Sequence, residues 1–291
     1  MSTLKGVLCA TGAALAFSTL SIFGKLAPEL GLNTITLLFW RFALAASVLV
    51  LLTAKLPLNR SLRLPALLLG LLYAAQATLY FLALSHLPAG TTSLILYLSP
   101  ALVVGLQWTS GKTPTRAQLL ALMAVLLGVT VLAGRMNLTS SGLLGWGLAL
   151  SSAVCYALYL FLGPRLLKDA PPLAATAQST LGTGLGLGLL GLGSGDLHVP
   201  DPSAWPLIAA VALVPTVLAL PATLQASTLL GSDRASLLLT LEPVFVLLLA
   251  SMVLGEPITL PHLIGGSLIL LGAAASSRTS EASTTKLPAA R

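Results

Sequence analysis

The chain has 291 residues, of which 56% are hydrophobic and 8% charged, and its mean hydropathy is +0.96. Soluble domains carry about 25% charged residues, so this sequence cannot build a water-facing surface of ordinary size. The net charge of +7 therefore reads as Lys and Arg in loops on one side of a bilayer, and no nucleic-acid partner is expected.

Ten apolar runs follow one another: 4–26, 34–54, 64–86, 89–110, 116–134, 142–167, 173–193, 204–230, 235–254 and 260–277. Each is near the roughly 20 residues that cross a bilayer as a helix. The expected class is an all-α polytopic membrane protein with ten transmembrane helices and short loops. Nothing after the first run reads as a soluble mature domain, so a cleaved signal peptide is not expected. The stretch 278–291, rich in Ser, Thr and Ala, reads as a disordered tail. Cys9 and Cys155 lie inside apolar runs without a CxxC or metal-type spacing. His86, His198 and His262 are scattered near run ends, so neither a metal site nor a cofactor is expected.

The flanking cations orient the spans. With a cytoplasmic N-terminus, Lys5, Lys55, Arg60, Arg63, Lys112, Arg116, Arg165, Lys168, Arg234, Arg278, Lys286 and Arg291 face the cytoplasm, against Lys25 and Arg135 outside. Glu29, Asp196, Asp201 and Glu256 then lie outside as well. Both termini are expected in the cytoplasm and the protein in the cell (inner) membrane. Trp40, Trp146 and Trp205 fall near the outer interface and Trp108 near the inner one, where indoles concentrate.

One stretch occurs twice. Ser93-Leu-Ile-Leu-Tyr97-Leu-Ser99-Pro100 maps onto Ser236-Leu-Leu-Leu-Thr240-Leu-Glu242-Pro243 at a constant offset of 143 residues, and Pro114 maps onto Pro257. Leucine matches are cheap in an apolar chain; a serine and two prolines in register are not. The period covers five spans, an odd number, so the halves 1–135 and 136–277 would insert with opposite orientation. Inverted repeats of this kind suit secondary transporters, whose sites lie between the halves near the midplane.

The Leu241-Glu242-Pro243, Gly255-Glu256-Pro257 and Gly265 series, with Phe39-Trp40-Arg41-Phe42 in span two, resembles the EamA family of the drug/metabolite transporter superfamily over nearly the whole chain. The first half departs from that pattern, with Gly111-Lys112 where the family often has Gly-Glu. The tyrosine-rich spans are similar to the YddG-type exporters of aromatic amino acids. The resemblance implies transport rather than catalysis, a small-molecule substrate such as an amino acid, and a lipid-bilayer setting. The oligomeric state stays open, a monomer being compatible.

Candidate site residues follow from polar side chains inside spans. Tyr73, Gln76 and Tyr80 share one face of span three at spacings of three and four. The same offset leads from Tyr73 to Thr216 and from Tyr80 to Thr223. Ser93 and Tyr97 in span four, Tyr156 and Tyr159 in span six, and Thr240 in span nine extend the set. Tyrosine couples an apolar ring to a hydroxyl, which suits an amphipathic or aromatic solute. The alternative is plain interhelical hydrogen bonding, worth about 0.6 kcal/mol per pair. Arg41 and Glu242 are the two ionisable groups inside spans, each costing about 2.5–3.5 kcal/mol at a helix centre on insertion scales. Snorkelling is the expectation for Arg41. Glu242 could bind an ammonium group or carry a proton. Pro100 and Pro243 are expected to kink their helices and serve as hinges, and Pro215 and Pro221 to bend span eight.

Gly182, Gly184, Gly186, Gly188 and Gly191 in span seven read as a close helix contact rather than a nucleotide loop, because no strand precedes them. Gly111-Lys112-Thr113 lacks the opening glycine of a phosphate loop, having Leu106 there. Asn137-Leu138-Thr139 is a formal glycosylation sequon. The expected function is export of aromatic or apolar amino acids and related metabolites by alternating access. A sugar-phosphate or nucleotide-sugar exchanger of the same fold is the alternative, and a membrane-embedded enzyme a more distant one, since no nucleophile–base pair is visible.

Overall fold

The computed structural model describes residues 2–284 except 55, 57, 112 and 135–138. The described residues form helices and loops, with no strand among them. Thirteen α-helices follow in order: α1 Ser2–Leu26, α2 Thr34–Leu52, α3 Arg60–Leu84, α4 Ala89–Leu96, α5 Ser99–Thr109, α6 Arg116–Ala133, α7 Ser140–Leu166, α8 Pro172–Ser194, α9 Trp205–Ala212, α10 Ala219–Leu230, α11 Ser232–Leu239, α12 Glu242–Leu254 and α13 Leu260–Thr284. Starts are set by side chains that take up free amides. Asn33 Oδ1 accepts from Thr36 N at 2.8 Å, Thr139 Oγ1 accepts from Gly142 N at 3.2 Å, and Thr115 with Gln118 forms a reciprocal capping box.

Eight segments are long and apolar enough to cross a membrane. They include α4 with α5, α9 with α10, and α11 with α12, each pair counted as one crossing. Two of the ten expected spans fall short on that measure. The α8 helix has 23 residues but is diluted by glycine, and the apolar part of α13 is Leu260–Ala275. The 278–291 stretch was expected to be disordered, yet α13 continues to Thr284. No glycine or proline stands between 273 and 284 to stop it; the rest of that stretch lies outside the described residues, as do most of the sequon and Lys112.

The surface inverts the soluble pattern. Leu120, Leu189, Leu271 and Met252 are exposed, while Ala10, Ala13, Ala14, Ala45, Ala101 and Ala153 are buried. Large apolar side chains face lipid, and small ones let backbones approach. The glycines of α8 act this way. A Cβ on Gly182 would stand 2.9 Å from Leu67 Cα, and one on Gly70 of α3 would stand 2.7 Å from Thr183 N. The α6–α13 contact is built alike, since a Cβ on Gly265 would meet Gly128 O at 2.7 Å and one on Gly128 would meet Ile269 N at 3.0 Å.

Packing follows the 143-residue correspondence. The α3–α7 contact matches α10 on α1, and α5 on α7 matches α12 on α1. The α2–α8 and α6–α13 pairs each join equivalent members. Some correspondences fail: α4 packs on α12 and α5 on α13, but neither the equivalent α11–α5 nor the equivalent α12–α6 pair makes a contact of similar extent. The bundle is therefore shut at one end and parted at the other. Ile22, Leu37, Leu38, Leu84, Ala89, Val246 and Ala250 belong to the largest apolar cluster, which plugs the shut end. Trp146, expected at an interface, is 7% exposed and sits in a second cluster. Gly145 beside it lets Leu87 and His86 press close.

Replacing Gly182 with Val should drive α3 from α8 and exceed the roughly 1–3 kcal/mol of ordinary overpacking. Thermal unfolding of purified protein should show a fall of several degrees or loss of folded material. Gly147→Ala, where nothing lies within 4 Å of the added carbon, should leave the transition in place.

Candidate functional site

The two repeated prolines do more than bend their helices. A proline lacks an N–H, so Pro100 leaves Leu96 O without its helical donor, and Pro243 leaves Leu239 O without one. Neither helix survives as a continuous rod. The first breaks between α4 and α5 and the second between α11 and α12, with each proline in the first turn of the new helix. The expected kinks take the form of a short turn bridged by i→i+3 bonds, such as Leu98 N to Ile95 O and Leu241 N to Leu238 O, and the prolines sit where their missing N–H costs least.

Both orphaned carbonyls are taken by hydroxyls. Ser99 Oγ donates to Leu96 O at 2.7 Å. In the second copy Glu242 replaces Ser99, and the donor comes from across the gap: Tyr97 Oη donates to Leu239 O at 3.1 Å and lies 3.1 Å from Glu242 Oε2. One tyrosine thereby ties the first break to the second.

Between the breaks lies a cavity of about 500 Å³, within the range of small-molecule sites. Of the expected residues, Tyr73, Gln76, Tyr80, Tyr97, Tyr156, Thr240, Pro100 and Glu242 line it. Ser93, Tyr159 and Thr216 stand behind this wall. Ser93 is 1% exposed beside Tyr80. Tyr159 packs its ring 5.1 Å from Tyr73 and 6.3 Å from Tyr156. The cavity continues past Val103, Leu160, Ser236 and Ala273 toward the parted end.

Several lining groups are already engaged. Tyr80 Oη and Ser21 Oγ are 2.7 Å apart. Gln76 Nε2 donates to Ser152 Oγ at 3.1 Å, and that hydroxyl returns a bond to Gln76 O at 3.1 Å. Gln76 therefore also fastens α3 to α7. Thr240 Oγ1 donates to Leu237 O in its own helix.

Arg41 departs from the snorkelling expectation. It is 3% exposed and lines the same cavity as Glu242. Its Nη2 donates to Thr216 Oγ1 at 3.3 Å, and its guanidinium carbon lies 4.5 Å over the Phe42 ring. Arg41 is turned inward because α2 packs against α8, where Phe42 comes close to Gly184. Thr216 is delivered by a π-helical turn, Leu213–Leu218, centred on Pro215. This widened turn is the form the expected bend in span eight takes. Depth along a span was legible beforehand, but this rotation was not.

The shut end carries Glu256, from the Gly255-Glu256-Pro257 element. Gly255 adopts φ 67°, a left-handed conformation open to glycine, and turns the chain at the end of α12. Glu256 then accepts from Ala89 N at 3.0 and 2.8 Å, capping α4, and pairs with Lys25 Nζ at 3.6 Å. Nearby, Thr91 Oγ1 and His262 Nε2 are 2.9 Å apart.

A helical bundle with lipid-facing leucines, broken helices and a central cavity shut at one end belongs, as a class, to the membrane transporters. The chain belongs to the EamA-like transporter family, whose sequence model matches residues 4–134 and 143–278. It is 28% identical over 255 residues to the uncharacterized transporter YyaM of Bacillus subtilis, covering 80% of this chain and 81% of that one. It is 30% identical over 220 residues to the uncharacterized inner membrane transporter YicL of Salmonella typhimurium, covering 73% and 72%. An uncharacterized transporter of Archaeoglobus fulgidus is 27% identical over 195 residues, covering 66% and 68%. A protein of known crystal structure superposes with a TM-score of 0.65 at 22% identity, over 97% of this chain and 99% of that one, which shows the shared fold.

Tyr97→Phe keeps the ring but leaves Leu239 O without this donor. The expected cost is about 1 kcal/mol, read as a fall of a few degrees in the Tm of detergent-purified protein. An unchanged Tm would remove the cross-gap bond from the stabilising set.

Proposed function

We propose that the protein is a secondary transporter that exports aromatic or apolar amino acids and related metabolites by alternating access. It is read as ten membrane-spanning helices in two inverted five-helix repeats, 1–135 and 136–277. The observation that carries this reading is the cavity wall. Tyr73, Tyr80, Tyr97 and Tyr156 supply rings and hydroxyls, with Glu242 among them. Rings bury an apolar side chain, and a carboxylate meets an ammonium group.

The matched packing of α3–α7 with α10–α1 and of α5–α7 with α12–α1 supports the repeat. The failed match of α4–α12 with α11–α5 supports two alternating forms, in which the shut contact passes from one end to the other. With the cation-rich loops and both termini in the cytoplasm, the parted end faces the cytoplasm, the loading side for an exporter. The exchanger of sugar phosphates is disfavoured by the charges: a single cavity cation, Arg41, shares the space with Glu242, which repels a phosphate.

Proteoliposomes holding the purified protein should release radiolabelled phenylalanine, tryptophan or leucine down a gradient faster than empty vesicles. Tyr156→Ala and Tyr80→Ala should each cut that flux at least several-fold while the protein elutes as a folded species. Wild-type flux equal to that of empty vesicles across the amino-acid panel would overturn the reading.

A further inference from the structure

We propose that Arg41 is the anchor for a substrate carboxylate, so that the cavity selects monocarboxylates and, with Glu242 opposite in charge, zwitterions. This rests on the transport reading of the cavity. Arg41 is one of two charged side chains in its wall, and a guanidinium does not lose its proton in a protein. Among the described residues it has no ionic partner, the one ion pair being Lys25 with Glu256 at the shut end. Its Nε is buried with no hydrogen-bond partner, its hydrogen bond to Thr216 is long at 3.3 Å, and Tyr73 stands within side-chain hydrogen-bonding reach.

A buried cation left this way is costly, and removal of its field by a matching anion is strongly favourable. Arginine differs from lysine in meeting a carboxylate through two parallel N–H donors. The unpartnered Nε and the neighbouring Nη2 form such an edge, and a carboxylate there would replace the long Thr216 bond with two short ones. Tyr73 lines the same cavity wall as Arg41 and Glu242 and stands within hydrogen-bonding reach of the guanidinium. An amino-acid zwitterion carries its ammonium and carboxylate groups on one carbon and can face both. A phosphate has a second negative charge that Arg41 cannot match and Glu242 opposes. The 143-residue correspondence puts Gly184 at the equivalent place in the other half, so the anchor is single and the ligand has one orientation.

The test is ligand-induced thermal stabilisation and proteoliposome flux with four probes of one shape: phenylalanine, phenylalaninamide, phenethylamine and phenyl phosphate. Wild type should be stabilised by phenylalanine and carry it at least ten-fold better than the amide or amine, with no response to phenyl phosphate. Arg41→Gln should lose that ten-fold preference, and Arg41→Lys should keep a reduced one. If Arg41→Gln does not fold, the wild-type and Arg41→Lys comparisons decide. Equal handling of acid and amide by wild type, or a preference intact in Arg41→Gln, overturns the anchor while leaving transport standing. Carboxylate-selective stabilisation without any flux would overturn transport and leave the anchor. Stabilisation by phenyl phosphate as strong as by phenylalanine would overturn the monocarboxylate assignment.

Discussion

A backbone carbonyl inside a bilayer has no water to turn to, and the centre of this protein is arranged around two such carbonyls. Pro100 and Pro243 strip the donors from Leu96 O and Leu239 O. The first is served locally by Ser99, the second across the gap by Tyr97. Because the second needs a partner from the other half, α4 and α11 must end facing each other. The cavity is the space that this requirement holds open, and its polar groups are those that irregular backbone at membrane depth demands.

Charge inside the bundle follows the same economy of partners. Glu256 at the shut end is fully employed, with two amide contacts and an ammonium. Arg41 and Glu242 in the cavity are not. On the proposal made above, the unpartnered Arg41 Nε is where a transient ligand would dock.

Much of the plan was legible in the chain. The span boundaries, the glycine contact of α8 and the polar face of α3 all rest on periodicity and size, which survive in one dimension. What escaped was rotation and termination. Arg41 could be assigned a depth but not a direction, because the direction depends on how α2 packs against α8, a helix far away in sequence. A proline says that a bond is lost; what becomes of the freed carbonyl is decided by which donor reaches it, and Tyr97, which donates to Leu239 O, is not local to Pro243. Trp146 looked like an interfacial anchor until the missing side chain of Gly145 admitted Leu87. The repeat, an arithmetic property of the sequence, was the most informative single signal, and its unequal members (Ser99 against Glu242, Arg41 against Gly184) are where the chemistry gathers.

The glycine contacts described for α3 with α8 and α6 with α13 have a mechanical meaning. Where backbone rests on backbone, there are no side chains to change rotamer and let one helix slide over another. These pairs behave as welded struts. The compliance of the molecule then resides in the interrupted helices, α4 with α5 and α11 with α12, whose joints each lack the backbone bond that a proline removes. A cycle that exposes first one end and then the other would leave the struts as they are and spend its motion at four short half-helices, with Tyr97 as the tie that must slacken.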